Sequence, residues 1–299
     1  MASLYAAPLT GIRRSKCENR VVDHDREGCD ACSLSASPAG CKGPGTSHPK
    51  PAIGIRHPWH TGGVQAGLET LSSRLAAVRE RIARACDRAK RDPAGVLLLA
   101  VTKVFPATAI QEAYGLGLRE FGENYVKEFE GKAPLVAELG GARFHLIGHL
   151  QSNKSRKAAE LFDTIQTVDS PRLAARLEEA ARECGAGKTL DAMLEVKLSP
   201  EQSKSGAAPE ELPELIAAVR QCPHLRLLGL MTMPPWSEDA EASRPYFRQL
   251  RELAGRLELA GLSMGMSHDV ETAIEEGSTC VRVGTALFGK RVKRDNGPV

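Results

Sequence analysis

The sequence predicts an α/β protein built as a single (β/α)8 TIM-type barrel, and three observations carry that prediction. Short continuous apolar runs, such as Val96-Leu-Leu-Leu-Ala-Val101, have the composition of strands buried on both faces, the mark of a parallel sheet. Strand-like and helix-like segments alternate over about 200 residues without a long insertion, the size of a small barrel. The last two strand-like segments each end in a turn bearing glycine or hydroxyl groups, where barrels of this kind bind phosphate. A doubly wound open sheet shows a similar alternation, but eight regular units favour closure.

The elements follow in order. From Gln65, the residues Leu68, Leu71, Leu75, Val78 and Ile82 recur at helical spacing and predict an amphipathic helix to about Lys90. Strands are expected near 96–101, 118–123, 142–148, 164–168, 190–198, 225–232, 261–266 and 279–283. Helices are expected at 106–115, 125–139, 153–161, 170–184, 209–221, 239–259 and 269–276. Ser170-Pro171 supplies a cap followed by proline at the first helical position, as a helix start requires. On the helix at 239–259, Tyr246, Phe247, Leu250 and Leu253 form the face expected to pack on the barrel.

The barrel is expected over 65–291, preceded by an extension, 1–64, and followed by a tail, 292–299. The extension is rich in Gly, Pro, Ser and Cys and has no sustained periodicity, so it is read as disordered, with translation of the mature protein expected to start near Val64. Four of the eight cysteines, Cys17, Cys29, Cys32 and Cys41, crowd into it. Cys29 and Cys32 have the spacing of a zinc half-site, but no second close pair completes it and no metal is expected. The other four, Cys86, Cys184, Cys222 and Cys280, read as single buried thiols. A formal net charge of +3 gives no basic footprint for nucleic acid. No apolar run approaches the ~18 residues of a membrane span, and the N-terminus lacks the order of a secretion signal, so a cytoplasmic protein is expected.

Barrel active sites lie at the carboxyl ends of the strands. There the sequence places Lys103, Glu123-Asn124, His145 to His149, Met231 to Met233, Met266-Ser267-His268 and Gly284-Thr285-Ala286. Glycine lets a backbone approach an anion, and serine and threonine add hydroxyl donors, so the last two turns read as a phosphate cup. Arg282 sits two residues before the second turn. A lysine ending an apolar strand faces the mouth, where desolvation and the Arg282 charge favour the neutral amine needed for Schiff-base chemistry. Lysine, phosphate cup and arginine together suggest pyridoxal 5′-phosphate, with Arg282 facing the ring nitrogen. An arginine there disfavours ring protonation and weakens the ring as an electron sink. Gly185-Ala-Gly187-Lys188-Thr189 ends like a nucleotide-binding loop, but it lies between helix and strand and is read as a helix stop. His145 and His149 do not share a helical face, so they are not expected to bind metal.

Seven words in order carry a resemblance: AVTKVFP (100–106), FGENYVKE (121–128), FHLIGHLQSNK (144–154), TVDS (167–170), SKSG (203–206), GLMTM (229–233) and SMGMSHDVETAIEEGSTCVRVGTALFG (263–289). With them, the region from about Val64 to Arg291 resembles the pyridoxal phosphate homeostasis protein family, whose barrel is similar to the N-terminal domain of alanine racemase. The resemblance implies Lys103 as the Schiff-base lysine, Ser267, Gly284 and Thr285 at the phosphate, Arg282 at the ring nitrogen, and Asn124 and Met231 lining the pocket. His145, Gln151, Asn153 and Lys154 match a family motif with no role derived for it. Lys197 stands where the family pattern has asparagine, and the cysteine-bearing extension is foreign to that pattern.

The expected function is to hold pyridoxal phosphate as a lysine aldimine without robust turnover, as a carrier for PLP homeostasis, with PLP-dependent apoenzymes as possible partners and a monomer favoured over a dimer. The alternative is an amino-acid racemase or a related weak enzyme. Racemisation by two bases needs a second acid/base opposite Lys103, which the racemase family supplies as a tyrosine from an additional β domain. No tyrosine follows Tyr246 here, which favours the carrier. A third reading, a barrel used as a protein-binding scaffold, predicts a colourless protein.

Overall fold

The chain divides into two units, Met1–Gly67 and Leu68–Val299. The computed structural model describes residues 70–185, 187–199 and 205–289. Leu68, the extension and its cysteines, Ser203-Lys204 of the SKSG word, and the tail 292–299 lie outside the described residues.

Eight parallel strands close into a barrel in sequence order. They are β1 (Leu97–Val101), β2 (Glu120–Glu123), β3 (Arg143–Leu146), β4 (Thr164–Val168), β5 (Leu190–Glu195), β6 (Leu225–Met231), β7 (Gly261–Met266) and β8 (Cys280–Val283). Closure is made by β1 on β8, with Leu99 opposite Arg282 and Ala100 opposite Val283. Around them run α1 (Leu71–Arg88), α2 (Ala107–Gly115), α3 (Val126–Val136), α4 (Ser155–Leu161), α5 (Pro171–Glu183), α6 (Leu212–Arg220), α7 (Arg244–Arg256), α8 (Val270–Glu275) and the short α9 (Thr285–Phe288). Ser170 caps α5 as expected, its side chain accepting from the Leu173 amide, with Pro171 opening the helix.

Strand side chains alternate between the two faces of the barrel wall. Leu190, Ala192, Leu194 and Val196 belong to the large core between strands and helices. Asp191, Met193 and Glu195 therefore point inward. On β1 the inward set is Leu97, Leu99 and Val101, which pack with Ile147 and Cys280 in a small separate cluster. That apolar plug fills only part of the interior. Buried polar residues occupy the rest, among them His145, Gln166, Ser263 and Arg282.

Several expected boundaries shorten, for physical reasons. The strand expected at 190–198 stops at Glu195, because the backbone turns to pair with its own returning loop. Lys197 N donates to Ala207 O, and Ala207 N to Glu195 O. The segment 142–148 pairs only from Arg143 to Leu146. The helix expected at 239–259 opens as a tighter turn, Ala240–Ser243, before α7 begins at Arg244. On α7, Phe247, Leu250 and Leu253 are buried as expected, and Tyr246 is half-buried. The expectation of four buried thiols is corrected: Cys86 and Cys280 are buried, Cys222 is half-buried and Cys184 is exposed. No helix among the described residues is long and apolar enough to cross a membrane.

Candidate functional site

Leu97, Leu99 and Val101 point inward along β1. Lys103 follows two residues beyond the strand, in the turn at the carboxyl end of the barrel, where it is half-buried. Its neighbour Thr102 points outward and is fully buried. Thr102 Oγ1 donates to Glu123 Oε1 at 2.7 Å. Lys132, reaching in from α3, donates to Thr102 O at 3.0 Å, Glu123 Oε1 at 2.9 Å and Glu128 Oε1 at 2.6 Å. Glu128 Oε1 also accepts the Val104 amide at 2.6 Å. Val104 has φ 63, a left-handed conformation that a β-branched residue adopts only under strain. The lysine turn is thus gripped from outside the barrel wall on both sides of Lys103. Burial holds the Glu123 carboxyl above the usual range, against the lowering effect of Lys132 and of the Thr102 hydroxyl.

Opposite β1, Arg282 lies on β8 and is 3% exposed. Its Nη1 donates to Ser263 O at 2.7 Å and Ser263 Oγ at 2.8 Å, and its Nη2 to Thr232 O at 2.8 Å. Burial pulls the guanidinium below its ordinary value, with Cys280, Asp269 and Glu195 opposing. A guanidinium has five N–H donors. Three serve these bonds, which leaves two without a partner among the described residues.

The turns after β7 and β8 are joined by hydrogen bonds. Ser267 Oγ accepts the amides of Gly284 and Ala286, both at 3.2 Å. Arg81 of α1 donates to Ser267 O at 3.0 Å and grips Glu271 through two 2.6 Å bonds, fixing the first turn from behind. Gly265 enters that turn with φ 91, and a Cβ there would stand 2.4 Å from the Ala273 Cβ. Thr285 is exposed at the start of α9 and Gly284 lies beside Val101. Asn124 is half-buried at the end of β2. The Gly148 backbone passes so close that a Cβ there would come within 2.2 Å of Asn124 O. Met231 is fully buried and inward-facing at the end of β6. Lys103, Asn124, Met231, Ser267, Arg282, Gly284 and Thr285 therefore all lie at strand ends around one mouth or directly beneath it.

The family motif around His145 splits. His145 is buried inside the barrel, whereas Gln151, Asn153 and Lys154 are exposed on the turn leading to α4. His149 Nδ1 stands 3.7 Å from Asp169 Oδ2. Among the described residues no group of His, Cys, Asp and Glu is placed to hold a metal ion.

A residue the sequence reading passed over is Glu195. It is 4% exposed, inward-facing at the end of β5, and its Oε2 has no hydrogen-bond partner among the described residues. Burial and the nearby Asp169 charge push its carboxyl up to about 7, with Arg282 opposing. Glu195 lines a cavity of about 600 Å³ with Lys197, Met233, Trp236 and Met266. Lys197, the departure at strand five, therefore adds its charge to the mouth. The signal for Glu195 was a second carboxylate on a mostly apolar strand, in the same parity as Asp191 and Lys197.

The geometry fits an anionic, aldehyde-bearing cofactor. A hydroxyl that already gathers two amides marks the anion end, and a buried guanidinium with two unused donors marks an acceptor atom. A half-buried lysine faces the same mouth. Comparison with known proteins agrees. Residues 73–292 match the family model described as alanine racemase, N-terminal domain. The pyridoxal phosphate homeostasis protein of Pseudomonas aeruginosa is 49% identical over 226 residues, covering 75% of this chain and 97% of the relative. That of Escherichia coli is 44% identical over 239 residues, covering 75% and 98%. The structure of PipY from Synechococcus elongatus with PLP bound aligns at TM-score 0.65 and 40% identity, covering 74% of this chain and all of PipY. Alanine racemase of Clostridium difficile, at 15% identity and TM-score 0.56, shares the fold alone. With its barrel, its ordered motifs and relatives matched over nearly their whole length, this chain belongs to the pyridoxal phosphate homeostasis protein family.

Proposed function

We propose that the barrel holds pyridoxal 5′-phosphate at its carboxyl mouth and serves as a carrier that keeps the cofactor available, without robust turnover of its own. The observation that carries this reading is that Lys103, the buried Arg282 and the hydrogen-bonded Ser267 and Gly284 turns lie on or just beyond the neighbouring strands β1, β8 and β7 at one end of the barrel. When bound, the cofactor supplies an aldehyde that condenses with a lysine amine, releasing water. Lys103 is the amine placed to react. Ser267 and the Gly284–Thr285 turn hold the phosphate through the hydroxyl and backbone N–H groups. Arg282 turns its spare donors toward the ring nitrogen and keeps it unprotonated, which weakens electron withdrawal and suits storage better than catalysis. Asn124 and Met231 bound the ring, and the acceptors of the carried cofactor are PLP-dependent apoenzymes.

Glu195 favours one competing reading. A carboxyl near 7 at the same mouth can give and take a proton at neutral pH, as a racemase or a related enzyme requires.

The test is the visible spectrum after adding pyridoxal phosphate, followed by borohydride reduction and peptide mapping. The expected result is a coloured protein trapped on Lys103, with Lys103→Ala colourless and still folded by circular dichroism. A colourless wild type, or label scattered over surface lysines, rejects the proposal. Amino-acid turnover that disappears in Glu195→Gln would move the assignment to the enzyme.

A further inference from the structure

The barrel interior holds a line of polar side chains that phosphate, aldehyde and ring nitrogen leave unexplained. Arg282 Nη1 donates to Ser263 Oγ at 2.8 Å, and Ser263 Oγ donates to Gln166 Oε1 at 2.7 Å. Gln166 Nε2 lies 3.0 Å from His145 Nδ1, and His145 Nε2 lies 2.6 Å from Glu120 Oε2. The five residues come from five strands, β8, β7, β4, β3 and β2. Ser263, Gln166, Arg282 and His145 are each at most 5% exposed. The line descends from the carboxyl mouth to the opposite end of the barrel. There Arg143 Nε approaches Glu120 at 3.8 Å, and Arg143 and Arg226 share Asp191.

The donors and acceptors favour one direction along this line. A guanidinium donates and never accepts. Ser263 Oγ accepts from Arg282 and spends its single hydrogen on Gln166 Oε1. Gln166 then presents its amide nitrogen, which only donates, to His145. Nδ1 must be the bare acceptor, so the ring proton lies on Nε2 and is donated to the Glu120 carboxylate. The reverse arrangement needs a flipped Gln166, whose N–H and that of Arg282 would together fill both lone pairs of Ser263 Oγ. The serine hydrogen would then lose the Gln166 carbonyl and keep only the weak acceptor Cys280 Sγ, and a bare His145 Nε2 would face the Glu120 carboxylate at 2.6 Å. Buried polar groups are satisfied almost without exception, and a partly satisfied network is costly.

We propose that His145, held as the Nε2–H tautomer between Gln166 and Glu120, is a positioning residue for Arg282. The column it completes fixes the plane in which the guanidinium meets the cofactor's ring nitrogen. This gives the first histidine of the FHLIGHLQSNK motif a role. The cofactor half rests on the proposed function, while the column and tautomer belong to the protein alone.

Two measurements test it. The first is the ring-nitrogen spectrum of ¹⁵N-labelled protein at about pH 7, without added cofactor, with His145 assigned by comparison with His145→Asn. A protonated Nε2 with a bare Nδ1 is expected; an Nδ1–H tautomer or a doubly protonated ring overturns the proposal. The second is titration with pyridoxal phosphate. Gln166→Leu and His145→Leu each interrupt the column, and loss of one buried hydrogen bond predicts roughly tenfold weaker retention with a shifted visible band. His145→Asn keeps an acceptor for Gln166 and is expected to stay close to wild type. Wild-type affinity and band position in both leucine variants overturn the positioning role. If those variants do not fold, a shifted band in His145→Asn or the wrong tautomer in wild type still overturns it. A wild type that takes up no cofactor rejects the proposed function instead, and the tautomer then decides the column separately.

Discussion

Replacing Lys132 with methionine would test the outer grip on the lysine turn. The change keeps much of the side-chain volume and removes the cation that serves Thr102 O, Glu123 and Glu128. Glu123 is fully buried and its Oε2 already lacks a partner among the described residues. Without Lys132 its charge cannot be sustained, and the carboxyl takes up a proton. Neutralising a carboxyl whose ordinary value is 4.5 costs about 3.4 kcal/mol at pH 7, at 1.36 kcal/mol per pH unit. That sets an upper bound, because the wild-type carboxyl is itself raised. At pH 5 the same bound is about 0.7 kcal/mol. The sign follows: an acid raised in the folded state binds more protons there than when unfolded, so its cost grows as pH rises above the unfolded value. Urea unfolding of wild type and Lys132→Met at both pH values should show a deficit of roughly 2–3 kcal/mol near pH 7 that nearly closes near pH 5. Adding Glu123→Gln removes the charge and should restore most of the loss, since a glutamine oxygen still accepts from Thr102. A deficit independent of pH, or no rescue, would refute the assignment of Lys132 as the counter-ion of a buried carboxylate.

Gly148→Ala places a Cβ 2.2 Å from Asn124 O, a backbone atom that cannot swing aside. Overpacking of this kind predicts a loss of about 1–3 kcal/mol and weaker cofactor retention, read from melting and absorbance titration. The Glu195 carboxyl, whose Oε2 has no partner among the described residues, is pushed up to about 7, so wild-type stability should fall as pH rises from the ordinary carboxylate value through about 7. Glu195→Gln should flatten that slope and gain roughly 2–3 kcal/mol at about pH 8; an unchanged slope means the carboxylate is not desolvated. Arg81→Ala releases Ser267 O and Glu271 together. Since the pair is partly exposed, a stability loss of only about 1 kcal/mol is expected, with faster dissociation of pyridoxal phosphate as the more sensitive readout.

The barrel was legible because periodicity survives in a single sequence. Apolar runs of strand length and amphipathic helices depend on which face is buried, and burial is written residue by residue. Strand ends were less legible, since composition does not record pairing. Val196 and Leu198 continue the apolar pattern of β5 although the backbone has already left for Ala207. Lys103, Arg282, Ser267 and Gly284 could be found because each stands out locally, a charge or a turn beside an apolar strand. Lys132 could not. It is nine residues from Glu123 and thirty from Thr102, and only the packing of α3 on the barrel wall joins them. His145, Gln166 and Ser263 are likewise ordinary on their own strands and acquire meaning from register alone. The strain at Val104 leaves no trace in composition, since valine is not a residue that announces a left-handed turn.

The two networks divide the support of the site in a way that strand alternation makes possible. Thr102 and Lys103 are consecutive, so holding the first from outside the wall fixes the direction of the second inside it. Arg282 is one position beyond outward-facing Val281 and is held from within, by Ser263 and the column below it. Neither network draws on Ser267, Gly284 or Asn124, and the two share no side chain. The turn that carries the lysine and the guanidinium are therefore preorganised separately. Partners whose geometry is already set lose little freedom when a ligand arrives, so most of the cost of ordering the site falls in folding rather than in binding.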